Sequence, residues 1–138
     1  MIQRKHRSQW KFTKVRYRLA TKTEWELAAA GKLDLNIYPY GIERKKEEIW
    51  DYIFYRWPKY DQPEFRSRLY TFEVQSLLPN AYGAYNLTGH VSEMIAEKGL
   101  AKGGHFNSPL DSCAVQLDHR YTKPEAWLGF RCICEIVE

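Results

Sequence analysis

Period-two alternation of apolar positions is clearest at the end of the chain. There "WLGFRCICEIVE" sets Leu128, Phe130, Cys132, Cys134 and Ile136 on one face, and Arg131 and Glu135 on the other with Ile133 and Val137. The spacing predicts a mostly buried strand. A 3.6-residue stripe stands near the start, in "RLATKTEWELAAAGK", where Trp25, Ala28 and Ala29 share a face. Thr21 with Glu24 three residues later forms a capping box, and Gly31 is a natural stop, so a helix is predicted over about residues 22 to 30. Ahead of it, "KFTKVRYRL" alternates as a strand or extended entry. "LAKGGHF" reads as a strand with a double glycine, and a short helix is possible at 90 to 96.

Between these segments the pattern fades. "IYPYG" looks like a turn carrying aromatics, "IERKKEEIWDYIFYRW" mixes charge with aromatic rings, and Pro58, Pro63 and Pro79 punctuate the rest. Residues 32 to 79 therefore read as a long ordered loop held by aromatic packing, a length that calls for a function or for something that holds it. "NLTGHVSEM" is too polar for a core strand and too irregular for a capped helix.

Composition narrows the class. With 138 residues, 44% hydrophobic and 15% aromatic, the chain suits one folded domain and not a disordered tail. No apolar run is long enough for a transmembrane helix. The net charge is +4, yet residues 1 to 18 hold seven Lys/Arg and no acid, leaving 14 bases against 17 acids in the remainder. Basic runs are usually solvated surface, so residues 1–15 read as a basic lead-in and not as a nucleic-acid arm. No apolar h-region follows it, so no signal peptide is expected here. Cys113, Cys132 and Cys134 show no CxxC spacing, and Cys132 and Cys134, two apart on a strand, sit too far apart for an easy disulfide.

The order of landmarks resembles a known family. "YRLATKTEWELAAAG", "YPYG", "PNAYGAYNLTGHVSEM", "KGGHF" and "GFRC" are similar, in order and spacing, to the signatures of the formylglycine-generating enzyme family, or sulfatase-modifying factors. The resemblance implies an α+β, C-type-lectin-like fold with little regular secondary structure and small antiparallel sheets. It also implies that residues 16–138 form a domain without its usual N-terminal half: either a truncated or divergent half-domain, or one whose missing layer a second chain supplies, and in both cases open apolar surface would favour a homo-oligomer. Cys132 matches a family cysteine whose partner lies in that half, and is expected here as a buried thiol.

The family's oxidases are understood to hold copper between two thiolates, five residues apart. In "GGHFNSPLDSC", Cys113 matches the second, Ser108 stands at the first, and His105 replaces a serine. A soft cuprous ion wants two thiolates, so copper is not expected, and His105, Ser108 and Cys113 read as vestigial. The resemblance further implies a structural calcium ion held by the Asn86 side chain, the carbonyls of Gly89 and Val91, and the Glu93 carboxylate, a sensible set for a hard cation. The sequence thus favours a non-catalytic binding or scaffold module. Its aromatic surface at Trp50, Tyr55, Trp57 and Trp127 would engage a protein, peptide or glycan, in the periplasm or outside the cell by family analogy. The alternative is a copper-dependent oxidoreductase that converts a peptide cysteine to formylglycine.

Overall fold

The computed structural model describes residues 14–44, 49, 75 and 77–137. The basic lead-in up to residue 13, the part of the expected long loop at residues 45–48 and 50–74, and with it Trp50, Tyr55 and Trp57, lie outside them.

Strand β1, Val15–Leu19, leads into helix α1, Lys22–Ala30, where local sequence decides both ends. The Thr21 hydroxyl accepts from the Glu24 N–H, the Glu24 carboxylate accepts from the Thr21 N–H at 2.8 Å, and Gly31 closes the helix in the left-handed conformation at φ 58°. Trp25 and Ala29 are buried, as the stripe predicts. Ala28 is exposed: in a helix this short the buried stripe narrows to the i, i+4 pair, and the Ala28 carbonyl instead accepts from the Asn80 amide at 2.7 Å. "YPYG" is a turn, closed by Gly41 N–H to the Tyr38 carbonyl, with Tyr40 buried and its hydroxyl on Asp111 at 3.1 Å.

A four-stranded sheet follows: β2 (Ser92–Met94), β3 (Leu100–Lys102), β4 (Asp118–Arg120) and β5 (Leu128–Phe130), in the order β4-β3-β2-β5. Residues 92–94 are strand where a short helix was possible, because β3 and β5 flank them on both sides. The β2–β5 pair is parallel, a departure from the small antiparallel sheets expected. Strand β6, Cys132–Ile136, pairs antiparallel with β1 in a separate two-stranded ribbon.

The ribbon corrects a second expectation. Phe130, Cys132, Cys134 and Ile136 are exposed, and Ile133 is the residue that packs on the core. Cys132 is therefore an exposed thiol, not a buried one. The facing is set by the other side of the ribbon, where Glu135 is held by Arg16 and Arg18, and Arg18 pairs with Glu24 on α1. Once those charges are tied to the helix, the cysteine face must turn outward.

Two apolar clusters hold the described parts together. Ala20, Trp25, Ala29, Leu87, Ile95 and Val115 form one, linking α1 to the segment before β2. Tyr40, Ile42, Ile49 and Leu110 form the other.

Candidate functional site

The turn before β2 is built from left-handed residues: Asn86 at φ 54°, Gly89 at 72° and His90 at 63°. Asn is among the few side chains that tolerate this region. All of residues 86–90 are buried. Gly89 N–H donates to the Gly103 carbonyl at 2.7 Å, and Thr88 Oγ1 donates to the Tyr40 carbonyl at 3.2 Å. The chain then enters β2 with Glu93 only 5% exposed.

Glu93 is the anion of a buried network. Its Oε1 accepts from Arg131 at 2.5 Å, and its Oε2 accepts from Arg131 Nε at 2.7 Å and Trp25 Nε1 at 2.9 Å. Arg131 also donates to the Tyr85 carbonyl at 2.8 Å. One carboxylate thus ties α1, the turn and the "GFR" segment together. Sequence reasoning missed Trp25 and Arg131 as its partners, although both stand in the landmark motifs "TEW" and "GFR". It also missed Lys102, which is fully buried between Glu26 at 2.7 Å and Asp118 at 2.9 Å.

This geometry bears on a cation in the turn. Both polar atoms of the Asn86 amide, and Ser92 Oγ, are buried without a hydrogen-bond partner, a costly state that an oxygen-seeking cation would relieve at Asn86 Oδ1. Glu93, by contrast, already has its charge balanced by Arg131. The Asn86 oxygen with the Gly89 and Val91 carbonyls suits a hard cation in kind, but the set is poor in free negative charge. Asn86 thus offers an unpartnered oxygen of the kind a hard cation takes, while the Glu93 carboxylate is already engaged.

The segment 103–113 has a different chemistry. Gly103 and Gly104 take φ of 93° and 66°, and any Cβ at Gly104 would lie 2.5 Å from Cys113 Sγ. Gly104 therefore lets the backbone run directly against Cys113, which is fully buried in a short 3₁₀ turn, Leu110–Cys113, while Gly103 does the same against the Leu87 carbonyl and the Trp25 ring. Burial pushes its thiol up to about 12, because a thiolate there would lose its hydration. Ser108 is buried too, its Oγ accepting from the His105 N–H at 3.2 Å. His105 stacks on Trp127 with ring centroids 4.7 Å apart, and its Nδ1 accepts from the Asn107 N–H at 3.2 Å. Burial, then the nearby His119, push the His105 imidazole down to about 4.

The structure thus gathers His105, Ser108 and Cys113 at one loop, and Asn86, Gly89, Val91 and Glu93 at one turn. Among the described residues no three His, Cys, Asp or Glu side chains are placed to hold a metal together. Trp127 is half-buried, with one ring face covered by His105.

Comparison with known proteins agrees with this architecture. The chain is 40% identical over 108 residues to the formylglycine-generating enzyme of Thermomonospora curvata, covering 75% of this chain and 33% of that enzyme. The fold matches Treponema denticola variable protein 1 with a TM-score of 0.69 at 24% identity, over 92% of this chain and 50% of that one. PvdO from Pseudomonas aeruginosa matches with a TM-score of 0.65 at 21% identity, over 88% and 53% of the two chains, and CarF with 0.59 at 25% identity, over 88% and 48%. The chain spans about a third of the enzyme's length and about half of each solved structure. The profile described as "Sulfatase-modifying factor enzyme 1-like domain" matches residues 4–136, so by its landmarks, its fold and its sequence the chain belongs to that family.

Proposed function

We propose that the chain is a non-catalytic binding or scaffold module of this family. The observation that supports this is the state of the would-be thiolate pair. One position is Ser108, whose buried hydroxyl is already engaged by the His105 backbone, and the other is a protonated, fully buried Cys113. A neutral serine and an inaccessible thiol have little affinity for a soft ion. The test is cuprous-ion binding at this pair: Ser108→Cys should create it, and the unmodified chain should lack it. Binding that disappears in Cys113→Ala alone would contradict the proposal.

Calcium enters this reading as a weak structural ligand. The partnerless amide of Asn86 supports it, and the pairing of Glu93 with Arg131 limits it. Glu93 variants cannot test it, since they also break the ion pair. Asn86→Gly can, because glycine keeps the left-handed backbone while removing the amide. Calcium against chelator should raise the melting temperature of the wild type and leave Asn86→Gly unmoved. Equal melting temperatures in the wild type would refute the ion.

The partner in this reading is a protein, peptide or glycan of the bacterial cell envelope, a setting carried over from the family resemblance. The half-buried Trp127, stacked on His105, is the residue of the expected aromatic set that lies among the described residues. Capture of a partner that is lost in Trp127→Ala would support it.

The second reading, an oxidase of peptide cysteine, draws on the 40% identity to a formylglycine-generating enzyme. It requires chemistry at Cys113 without a second thiolate, and aldehyde formation on a cysteine peptide separates the two.

A further inference from the structure

Cys132 and Cys134 are both exposed, on the outward face of β6. They are two residues apart on a regular strand, so their Cα atoms are separated by roughly 6.6–6.8 Å and their Cβ atoms point the same way. That is unfit for a disulfide, which needs Cβ atoms about 3.5–4.5 Å apart. It suits a single metal ion between the two sulfurs. Rotation about each Cα–Cβ bond swings the Sγ atoms inward, and two metal–sulfur bonds of about 2.3 Å span about 4.6 Å in line.

The surroundings decide which ion. Across the ribbon the cysteines face Tyr17 and Leu19, and the next pair is Val15 with Ile136. Glu135, the carboxylate beside Cys134, points to the opposite face, where Arg16 holds it at 2.5 and 2.9 Å and Arg18 at 3.3 Å. Among the described residues, the thiol face of the ribbon therefore offers two soft donors and no carboxylate. A calcium or magnesium ion would find no oxygen cage, and zinc would lack two of its four ligands. Cuprous ion, soft and satisfied by two thiolates, is the one that fits.

We propose that Cys132 and Cys134 form a surface bis-thiolate site for a soft two-coordinate metal ion. It is separate from the Ser108/Cys113 pair, and does not depend on whether the module is catalytic.

The test is an anaerobic titration of the reduced full chain with cuprous ion against a chromophoric chelator. Alkylation with iodoacetamide, read thiol by thiol by mass spectrometry, runs in parallel. The expected result is one ion per chain, with Cys132 and Cys134 protected together. Binding should be lost in Cys132→Ser and in Cys134→Ser, and kept in Cys113→Ser. Both serine variants change exposed residues, so far-ultraviolet circular dichroism should show an unchanged fold. No binding, binding that survives the double serine variant, binding that needs Cys113, or one ion per two chains would each overturn the proposal.

Discussion

The turn at residues 86–94 and the loop at 103–113 meet at the Gly89–Gly103 hydrogen bond, yet they treat polar groups in opposite ways. Around Glu93, charge is buried and fully paired: Arg131 and Trp25 saturate the carboxylate, and nearby Lys102 sits between Glu26 and Asp118. Around Cys113, burial is achieved by keeping groups neutral, through a protonated thiol, a serine held by backbone and an imidazole kept uncharged. A charged network that crosses three segments holds a scaffold. In the neutral loop, burial disfavours the thiolate of Cys113. On the reading proposed above, the family's frame is kept in this chain while the site mounted on it is silent.

The largest expected effect lies on the neutral side. A thiol raised from 9.0 to about 12 by burial has roughly a thousandfold less thiolate at neutral pH, and Cys113 is also sterically shielded. Iodoacetamide should therefore modify Cys113 at least about a thousandfold more slowly than a free thiol, and far more slowly than the exposed Cys132 and Cys134. Comparable rates at all three would erase the contrast between the regions.

Next comes the charged side. Glu93→Ala removes the anion from a buried pair, leaving Arg131 and the Trp25 indole N–H unpaired, and should destabilise by about 3 kcal/mol in denaturant unfolding. Ser108→Ala loses one neutral hydrogen bond and should destabilise by about 1 kcal/mol. If the two losses are equal, the paired network is not the frame. Thr21→Ala should fall near 1 kcal/mol as well, through loss of the N-cap, and a neutral result in the same unfolding assay would contradict the cap geometry.

Acid sensitivity sharpens the comparison further, because the neutral loop and the charged cap of α1 separate by pH window. The His105 imidazole titrates near 6.5 when unfolded and about 4 in the fold, so the unfolded chain binds the extra proton between these values. Stability should fall as pH drops from about 6.5 to about 4, and His105→Gln should flatten that part of the profile. Glu24 acts lower. Arg18, with the Thr21 backbone N–H, holds its carboxyl at about 2, so its contribution is whole above the ordinary value of 4.5 and is lost as pH falls through about 2. A stability profile that is flat from pH 6.5 to 4 in the wild type would mean that His105 is not held neutral by the fold.

Helix α1 was legible because its determinants are local: the capping box, the apolar pair Trp25 and Ala29, and Gly31 all lie within eleven residues. The family motifs carried the fold class. What local pattern could not carry was direction. In β6 both faces alternate plausible core residues, Cys132, Cys134 and Ile136 against Ile133 and Val137, so periodicity gives the strand but not its inward side. That side is chosen by Glu135, whose arginine partners lie 117 and 119 residues away. Glu93 was legible as a special carboxylate in a polar turn, whereas its partners at Trp25 and Arg131 are 68 and 38 residues distant. The three-residue strand β2 depends likewise on neighbours in β3 and β5, since its own sequence has too few apolar positions to declare a period.

The central claim, that the frame persists without the chemistry, is tested most directly by turnover. The full chain is incubated with cuprous ion, oxygen and a cysteine-containing peptide, and the peptide is assayed by mass spectrometry and by an aldehyde-reactive hydrazide. The account predicts an unmodified cysteine, with Cys113→Ala indistinguishable from the wild type. Aldehyde that accumulates catalytically with the wild type and vanishes with Cys113→Ala would contradict it.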